Sequence, residues 1–314
     1  MTRFIISRIL QTFVVVFIVS LIAFVLLQLV PGDPARTILG NDVSQEQIDL
    51  LRHELWLDRP FVVQYWHWLS NAVRGDFGKS MIYRLPVSDL FASRLPITGY
   101  LSSIALLLSV ILGISAGIIC ATRRGSLLDQ TVSVVANIGV AIPIFWLGVL
   151  GIYIFGLKLD LLPIQGWTSP VDNFWKSTQQ AIMPVILLTV PSIALLARQT
   201  RSSMLEVINQ DYMRTAWSKG LAERIIIFRH ALKNAFIPII TLIGMQVRIL
   251  VGGSVLTETV FNIPGMGRLL VTSAFNKDYL VVQGGVLLIG LAVCLANLLV
   301  DILYGWLDPR TKYE

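Results

Sequence analysis

Charge is scarce in this 314-residue chain: Asp, Glu, Lys and Arg together make up 14% of it, where a soluble domain carries about 25%. That deficit excludes a soluble globular domain and a disordered chain, since both need a charged exterior. Cysteine is nearly absent. Cys120 and Cys294 both lie in apolar stretches, so there is no disulfide framework and each reads as a small packing residue. The three histidines, His53, His67 and His230, lie outside those stretches, and none has a metal-type partner three or four residues on. No metal site is expected. Paired acids inside the apolar stretches are also missing, which removes an intramembrane aspartyl protease. The run Gly78-Lys79-Ser80 resembles the end of a phosphate loop, but that loop needs a further glycine where this chain has Val73. The chain is therefore expected to bind no ATP of its own and to have no catalytic residues.

The missing charges are missing from six stretches: 9–30, 100–121, 132–157, 180–197, 235–256 and 281–306. These hold only Arg248 and Asp301. Each runs 18–26 residues, and a helix needs about 20 to cross a hydrocarbon core about 30 Å thick. Lipid offers backbone groups no partners, so each stretch must be helical. A β-barrel is excluded, because its strands alternate over about 10 residues. The expectation is an all-α integral membrane protein with six transmembrane helices. The first stretch runs well past a signal-peptide core and lacks a cleavage site before Val30-Pro31-Gly32, so it reads as a retained anchor.

Orientation follows from Lys and Arg beside the spans. With the N-terminus inside, the inner segments carry Arg3, Arg8, Arg123, Arg124, seven basic residues between 198 and 234, Arg310 and Lys312. The short outer loops 158–179 and 257–280 carry only Lys158, Lys176, Arg268 and Lys277. Both termini are expected in the cytoplasm. The net charge of +6 suits the inner face of an anionic membrane and does not call for nucleic acid.

Segment 31–99 is expected outside, as about three short helices over the bundle's outer mouth. Ser44 with Gln47 resembles a capping box; Ile48, Leu51 and Leu55 share a helical face. A second stretch contains Tyr65, Trp66, Trp68 and Leu69 and ends at Arg74-Gly75-Asp76-Phe77-Gly78. Within the spans, Gly113 and Gly117 form G-x-x-x-G, which allows close helix approach. Pro143, Pro184, Pro191 and Pro238 punctuate the third to fifth spans. Packing and kinking account for both features.

The inner loop 198–234 is the most patterned part of the chain. Large apolar residues at Met213, Trp217, Leu221, Ile225, Phe228, Leu232 and Phe236 repeat every three or four positions, which is helical periodicity. Gly220 interrupts it, as in a helix–turn–helix. Arg214, Lys219, Arg224, Arg229 and Lys233 occupy the other faces. Periodicity alone leaves two readings open: a helix lying on anionic headgroups, or a plug for a groove on a cytoplasmic partner.

With these motifs, the chain resembles the permease subunits of bacterial ABC importers for dipeptides, oligopeptides, glutathione and nickel. The likeness covers nearly its whole length. It rests on Pro31-Gly32-Asp33-Pro34, the run from Trp66-His67-Trp68 to Gly75-Asp76-Phe77-Gly78, Asp211-Tyr212-Met213-Arg214-Thr215-Ala216 with Lys219-Gly220, and Arg229-His230-Ala231-Leu232-Lys233-Asn234-Ala235. Further on come Leu256-Thr257-Glu258-Thr259-Val260-Phe261, Pro264-Gly265-Met266-Gly267-Arg268, Asp278-Tyr279 and Leu307-Asp308-Pro309-Arg310.

The resemblance implies a type I importer permease fold in the bacterial inner membrane. Its expected partners are a second permease, two ATPases that use ATP and Mg, and an external substrate-binding protein. It also implies that 211–235 is the Glu-Ala-Ala loop, with Asp211, Arg214, Thr215, Ala216, Lys219, Gly220, Arg224, Ala231 and Leu232 coupling to the ATPase. Arg214 and Thr215 stand where many importers have Glu and Ala, and Lys233 where many have Pro. The peptide branch commonly reads this way.

The expected organisation is an anchor over 1–30, a periplasmic helical segment over 31–99, a five-helix core over 100–306 and a cytoplasmic tail over 307–314. Arg248 shares a face with Thr241, Gly244 and Gly252. It is a candidate pathway cation, with Thr241 and Asn297 beside it in that role, and outward snorkelling is the alternative. Asp301 is a candidate structural ion pair. Glu258 and Arg268 are candidate contacts for the binding protein. The function this implies is ATP-driven uptake of short peptides, by alternating access. Two alternatives are weighed: the same fold carrying nickel or another small solute, and an ion- or proton-coupled secondary transporter. The latter should show paired intramembrane acids or repeated broken helices.

Overall fold

A computed structural model describes residues 2–28, 34–39, 43–54 and 56–307. Among them the secondary structure is helical: α1 (Thr2–Gln28), α2 (Pro34–Leu39), α3 (Gln45–Glu54), α4 (Phe61–Val73), α5 (Val87–Thr122), α6 (Leu127–Ala141) and α7 (Ile144–Gly151). A π-helical stretch, Ile152–Lys158, extends α7. Then come α8 (Phe174–Ile208), α9 (Asp211–Ser218) and α10 (Glu223–Ile225). A second π-helical stretch, Ile226–Ala231, leads into α11 (Leu232–Val260), followed by α12 (Met266–Phe275) and α13 (Tyr279–Leu307). The exit motif at 31–33, Leu55 and the tail from 308 lie outside the described residues.

Among the described residues five helices are long and apolar enough to cross a membrane, and a sixth crossing results if the bent pair Leu127–Ala141 and Ile144–Lys158 is one span. That third span is not straight: its halves meet at 100°. Pro143 is the cause. The residue before a proline is pushed out of the helical region, and Ile142 has φ −77 and ψ 129. By contrast, Pro96, Pro184, Pro191 and Pro238 sit inside continuous helices.

The chain divides into two compact units, one built mainly from Thr98–Pro264 and the other from Ile6–Ile97 with Gly265–Leu295. In the first unit α8 is the central helix and has the longest run of buried positions. The α5 glycines let it approach. A Cβ on Gly113 would lie 2.7 Å from Leu196 Cβ, and one on Gly117 2.4 Å from Thr200 Cβ. On another side of α8, Gln246 of α11 is buried and its Nε2 donates to the Ser192 carbonyl at 3.3 Å. Gly244 opens α11 to Val300 of α13.

In the second unit, Val87, Leu90, Phe91, Met266, Leu269 and Val281 form a buried apolar cluster. Ser80 Oγ donates to the buried Asp278 carboxylate at 2.5 Å. The Gly78-Lys79-Ser80 run is thus a structural turn, with Gly78 at φ +80. The capping box is present: Gln47 N–H donates to Ser44 Oγ and Ser44 N–H to Gln47 Oε1, each at 3.4 Å. Nearby, α4 packs against α1 through Phe24, with Phe61, Tyr65 and Trp68 around it.

Candidate functional site

Between α8 and α11 the chain leaves the apolar stretches. Gln210, in extended conformation at φ −74 and ψ 150, turns it into α9. Asp211 opens that helix, where a carboxylate favours the positive end of the backbone dipole. Eight residues later the helix stops. Lys219 N–H bonds to the Thr215 carbonyl at 3.1 Å and Gly220 N–H to the Trp217 carbonyl at 2.9 Å. Gly220 adopts φ +70, a left-handed conformation that other residues resist.

Burial holds this hairpin. Met213 and Ala216 of α9 join Met204, Ile226, Ala231, Ala235 and Ala121 in one enclosed cluster, with Leu221 and Leu232 packed against it. Asn234 Nδ2 ties the two arms together, donating to Tyr212 Oη at 2.8 Å. The inner side of α9 thus has no core of its own and shares one with the ends of α8 and α11.

The outer side is open. Arg214, Thr215, Lys219, Gly220 and Arg224 are all exposed, as are Tyr212, Trp217, Ile225 and Phe228. The pairing of Arg214 with Asp211, 3.7 Å apart and with both side chains largely in solvent, adds little stability. The single apolar stripe expected from spacing is therefore divided. Met213 is fully enclosed, but Trp217, Ile225 and Phe228 are 47%, 43% and 53% exposed. Two features rotate the register: the left-handed turn at Gly220, and the π-helical stretch at Ile226–Ala231, which has a wider turn. Small residues, Ala216, Ala231 and Ala235, fill the inner face instead. A reading that counts only large apolar side chains misses them.

One brace escaped sequence reasoning. Arg201 of α8 grips Asp129 of α6 with two hydrogen bonds, Nε to Oδ1 at 2.6 Å and the terminal nitrogen to Oδ2 at 2.8 Å. Gly125 N–H adds a third at 3.0 Å. Fork-to-carboxylate pairing of this kind fixes orientation as well as distance. The partners are 72 positions apart, so no local spacing reveals them. The only hint was an acid beside a span end otherwise rich in arginine.

The other expected site residues are placed variously. Thr241 is exposed, with its hydroxyl bonded to the Ile237 carbonyl at 3.4 Å. Asn297 and Asp301 are half-buried on α13, and Arg268 is half-buried on α12. The side chain of Arg248 lies outside the described residues. Glu258 is corrected: it is fully enclosed and offers no surface to a partner. Its carboxylate accepts from Thr98 Oγ1 at 2.6 Å, and its carbonyl from Ile263 N–H at 2.8 Å. The buried neighbours Phe261 and Ile263, joined through Asn262 at φ 53, fold the chain back over it.

Comparisons with known proteins agree on one family. Residues 113–313 match the family described as binding-protein-dependent transport system inner membrane component, and residues 1–102 match the N-terminal part of such components. The chain is 43% identical over 310 residues to a probable peptide ABC transporter permease protein, y4tP, of Sinorhizobium fredii, covering 99% of each. It is 42% identical over 314 residues to the glutathione transport system permease protein GsiC of Escherichia coli K12, covering all of both. Among solved structures, the MetNI methionine ABC transporter in an inward-facing conformation matches with a TM-score of 0.58 at 19% identity. That match covers 70% of this chain and 96% of that one, a likeness of fold.

Proposed function

Because the chain belongs to the family of inner membrane components of binding-protein-dependent transport systems, we propose that it is one permease subunit of an ABC importer for short peptides, glutathione included. It is a multi-pass protein of the bacterial cytoplasmic membrane. In this reading it works beside a second permease, two ATPases and an external binding protein. ATP and Mg are used by the ATPases, and this chain makes and breaks no bond.

One observation carries the reading: α9 is open on its outer side while its inner side shares a core with the ends of α8 and α11. An ATPase cleft that takes in Tyr212, Trp217, Arg214 and Lys219 holds α9 from outside. When the ATPases close, the push passes through Met213 and Ala216 to Met204 on α8 and to Ala231 and Ala235 at the start of α11. A rigid-body step of this kind moves the permease between two arrangements without deforming its core. Arg201 and Asp129 carry the same displacement from α8 to α6. Relatives named for peptide and glutathione transport support the substrate class.

The test is uptake with charge-reversed α9. Arg214→Glu should abolish transport while leaving the protein inserted in the membrane and its ATPases intact. Full uptake with both Arg214→Glu and Gly220→Pro would remove the coupling assignment.

A further inference from the structure

We infer that α4, on the segment expected to stand in water outside the membrane, is an interfacial helix seated among the acyl chains of the outer leaflet. The first observation is depth. Tyr65 donates to or accepts from Ser20 Oγ at 2.7 Å, and its ring stands edge-on to Phe17 and Phe24, 6.1 and 5.5 Å between centroids. These α1 residues belong to the span Ile5–Val25. At 1.5 Å rise per residue, Ser20 lies about 7 Å and Phe17 about 12 Å inside the end of that span. On α1 the exposed side chains at this level are Phe17, Ile18 and Ile22, an apolar surface suited to hydrocarbon. A helix in direct contact with Phe17 and Ser20 stands in the same medium.

The second observation is the pattern of α4 itself. Its 13 residues, FVVQYWHWLSNAV, contain no formal charge, although Asp58, Arg59, Arg74 and Asp76 flank it closely. Three stripes run along it. Tyr65, Trp68 and Ala72 face inward, with Tyr65 and Ala72 buried. Gln64, His67 and Asn71 form a polar edge that the protein itself satisfies. Gln64 Nε2 bonds to the Arg59 carbonyl at 2.7 Å, Asn71 bonds to His67 at 3.1 Å, and the His67 ring stacks on Trp56 at 3.9 Å. The third stripe, Val62, Trp66 and Val73, is 62%, 57% and 81% exposed.

In water that apolar stripe would be a liability. On a helix whose opposite face packs against a membrane span, hydrocarbon removes that liability. A polar edge, an apolar edge and tryptophans at the boundary describe an interfacial helix, whose usual depth of about 5–10 Å matches the contact with Ser20. Flanking charges then mark where the chain re-enters water.

The test is site-directed labelling in the complete importer reconstituted in lipid vesicles. Single cysteines at Val62, Trp66 and Val73 are compared with Asp76→Cys as a water control and Ile18→Cys as a lipid control, all in a Cys120→Ala, Cys294→Ala background. A thiol in hydrocarbon stays protonated, so a charged maleimide should modify positions 62 and 66 at least about tenfold more slowly than position 76. Nitroxides at 62 and 66 should collide with dissolved oxygen as readily as one at 18, and poorly with a water-soluble nickel chelate. Labelling as fast as at 76 would overturn the inference. So would protection from both oxygen and nickel, which means cover by a second subunit, and so would protection that appears only when binding protein is added.

Discussion

Replacing Gly117 by Ala is the sharpest test of how the first unit is packed. The added Cβ would lie 2.4 Å from Thr200 Cβ and 2.7 Å from the Ala197 carbonyl oxygen. Neither obstacle can rotate away, because one is the root of a side chain and the other is backbone. The helices must therefore separate by about 1 Å to restore ordinary contact, and overpacking of this kind costs about 1–3 kcal/mol. Against this stands the better helix propensity of alanine, worth about 1 kcal/mol at most. The same helix supplies its own control. A Cβ on Gly99 meets nothing within 4 Å, so Gly99→Ala should gain the propensity and lose no packing. The two variants are purified in detergent and compared by thermal unfolding. Gly117→Ala should unfold several degrees below Gly99→Ala, because the two share the propensity gain and only the first meets the clash. Equal transitions for the two would refute the close approach of α5 to α8.

The brace between α6 and α8 should show coupling. Asp129→Asn or Arg201→Met alone should destabilise by about 1–3 kcal/mol, below the full figure for a buried pair because Arg201 is 32% exposed. The double variant should lose less than the sum of the two in a double-mutant cycle of thermal or denaturant unfolding. At the turn after α9, Gly220→Ala should cost about 1 kcal/mol for its left-handed backbone and retain partial uptake. Gly220→Pro cannot reach φ +70 and also lacks the N–H that bonds Trp217, so uptake should vanish at normal membrane levels, measured by transport beside immunoblotting. Thr98→Val removes a donor from the enclosed Glu258 carboxylate and should lower stability by about 1–3 kcal/mol, whereas Thr98→Ser should be near neutral by the same unfolding assay.

The spans were legible because lipid imposes a single solution on any apolar run of about 20 residues. The capping box at Ser44 and Gln47 and the interruption at Gly220 were legible because each depends on neighbours within four positions. What depends on distant partners was not. Pro143 could be named as a punctuation mark, but a 100° break and a mild kink look alike in sequence, as the continuous helices through Pro184 and Pro191 demonstrate. The inner face of the α9 hairpin was hidden because alanines carry it and a π-helical stretch shifts the register. Glu258 looked like a surface acid at a helix end, but it is enclosed and its carboxylate is held by Thr98, 160 positions away. Arg201 counted as one more inner-face cation until Asp129 was seen opposite it. The depth of α4 was equally invisible, since Tyr65 and Ser20 are 45 positions apart.

The most direct measurement is accumulation of labelled glutathione or a dipeptide in vesicles containing this permease with its second permease, the ATPases and a loaded binding protein. Uptake should require ATP, fall to background when the ATPases are omitted, and ignore an imposed proton gradient. Accumulation through this chain without any ATPase, or driven by the gradient alone, would contradict the claim that α9 is a lever worked by a nucleotide-driven partner.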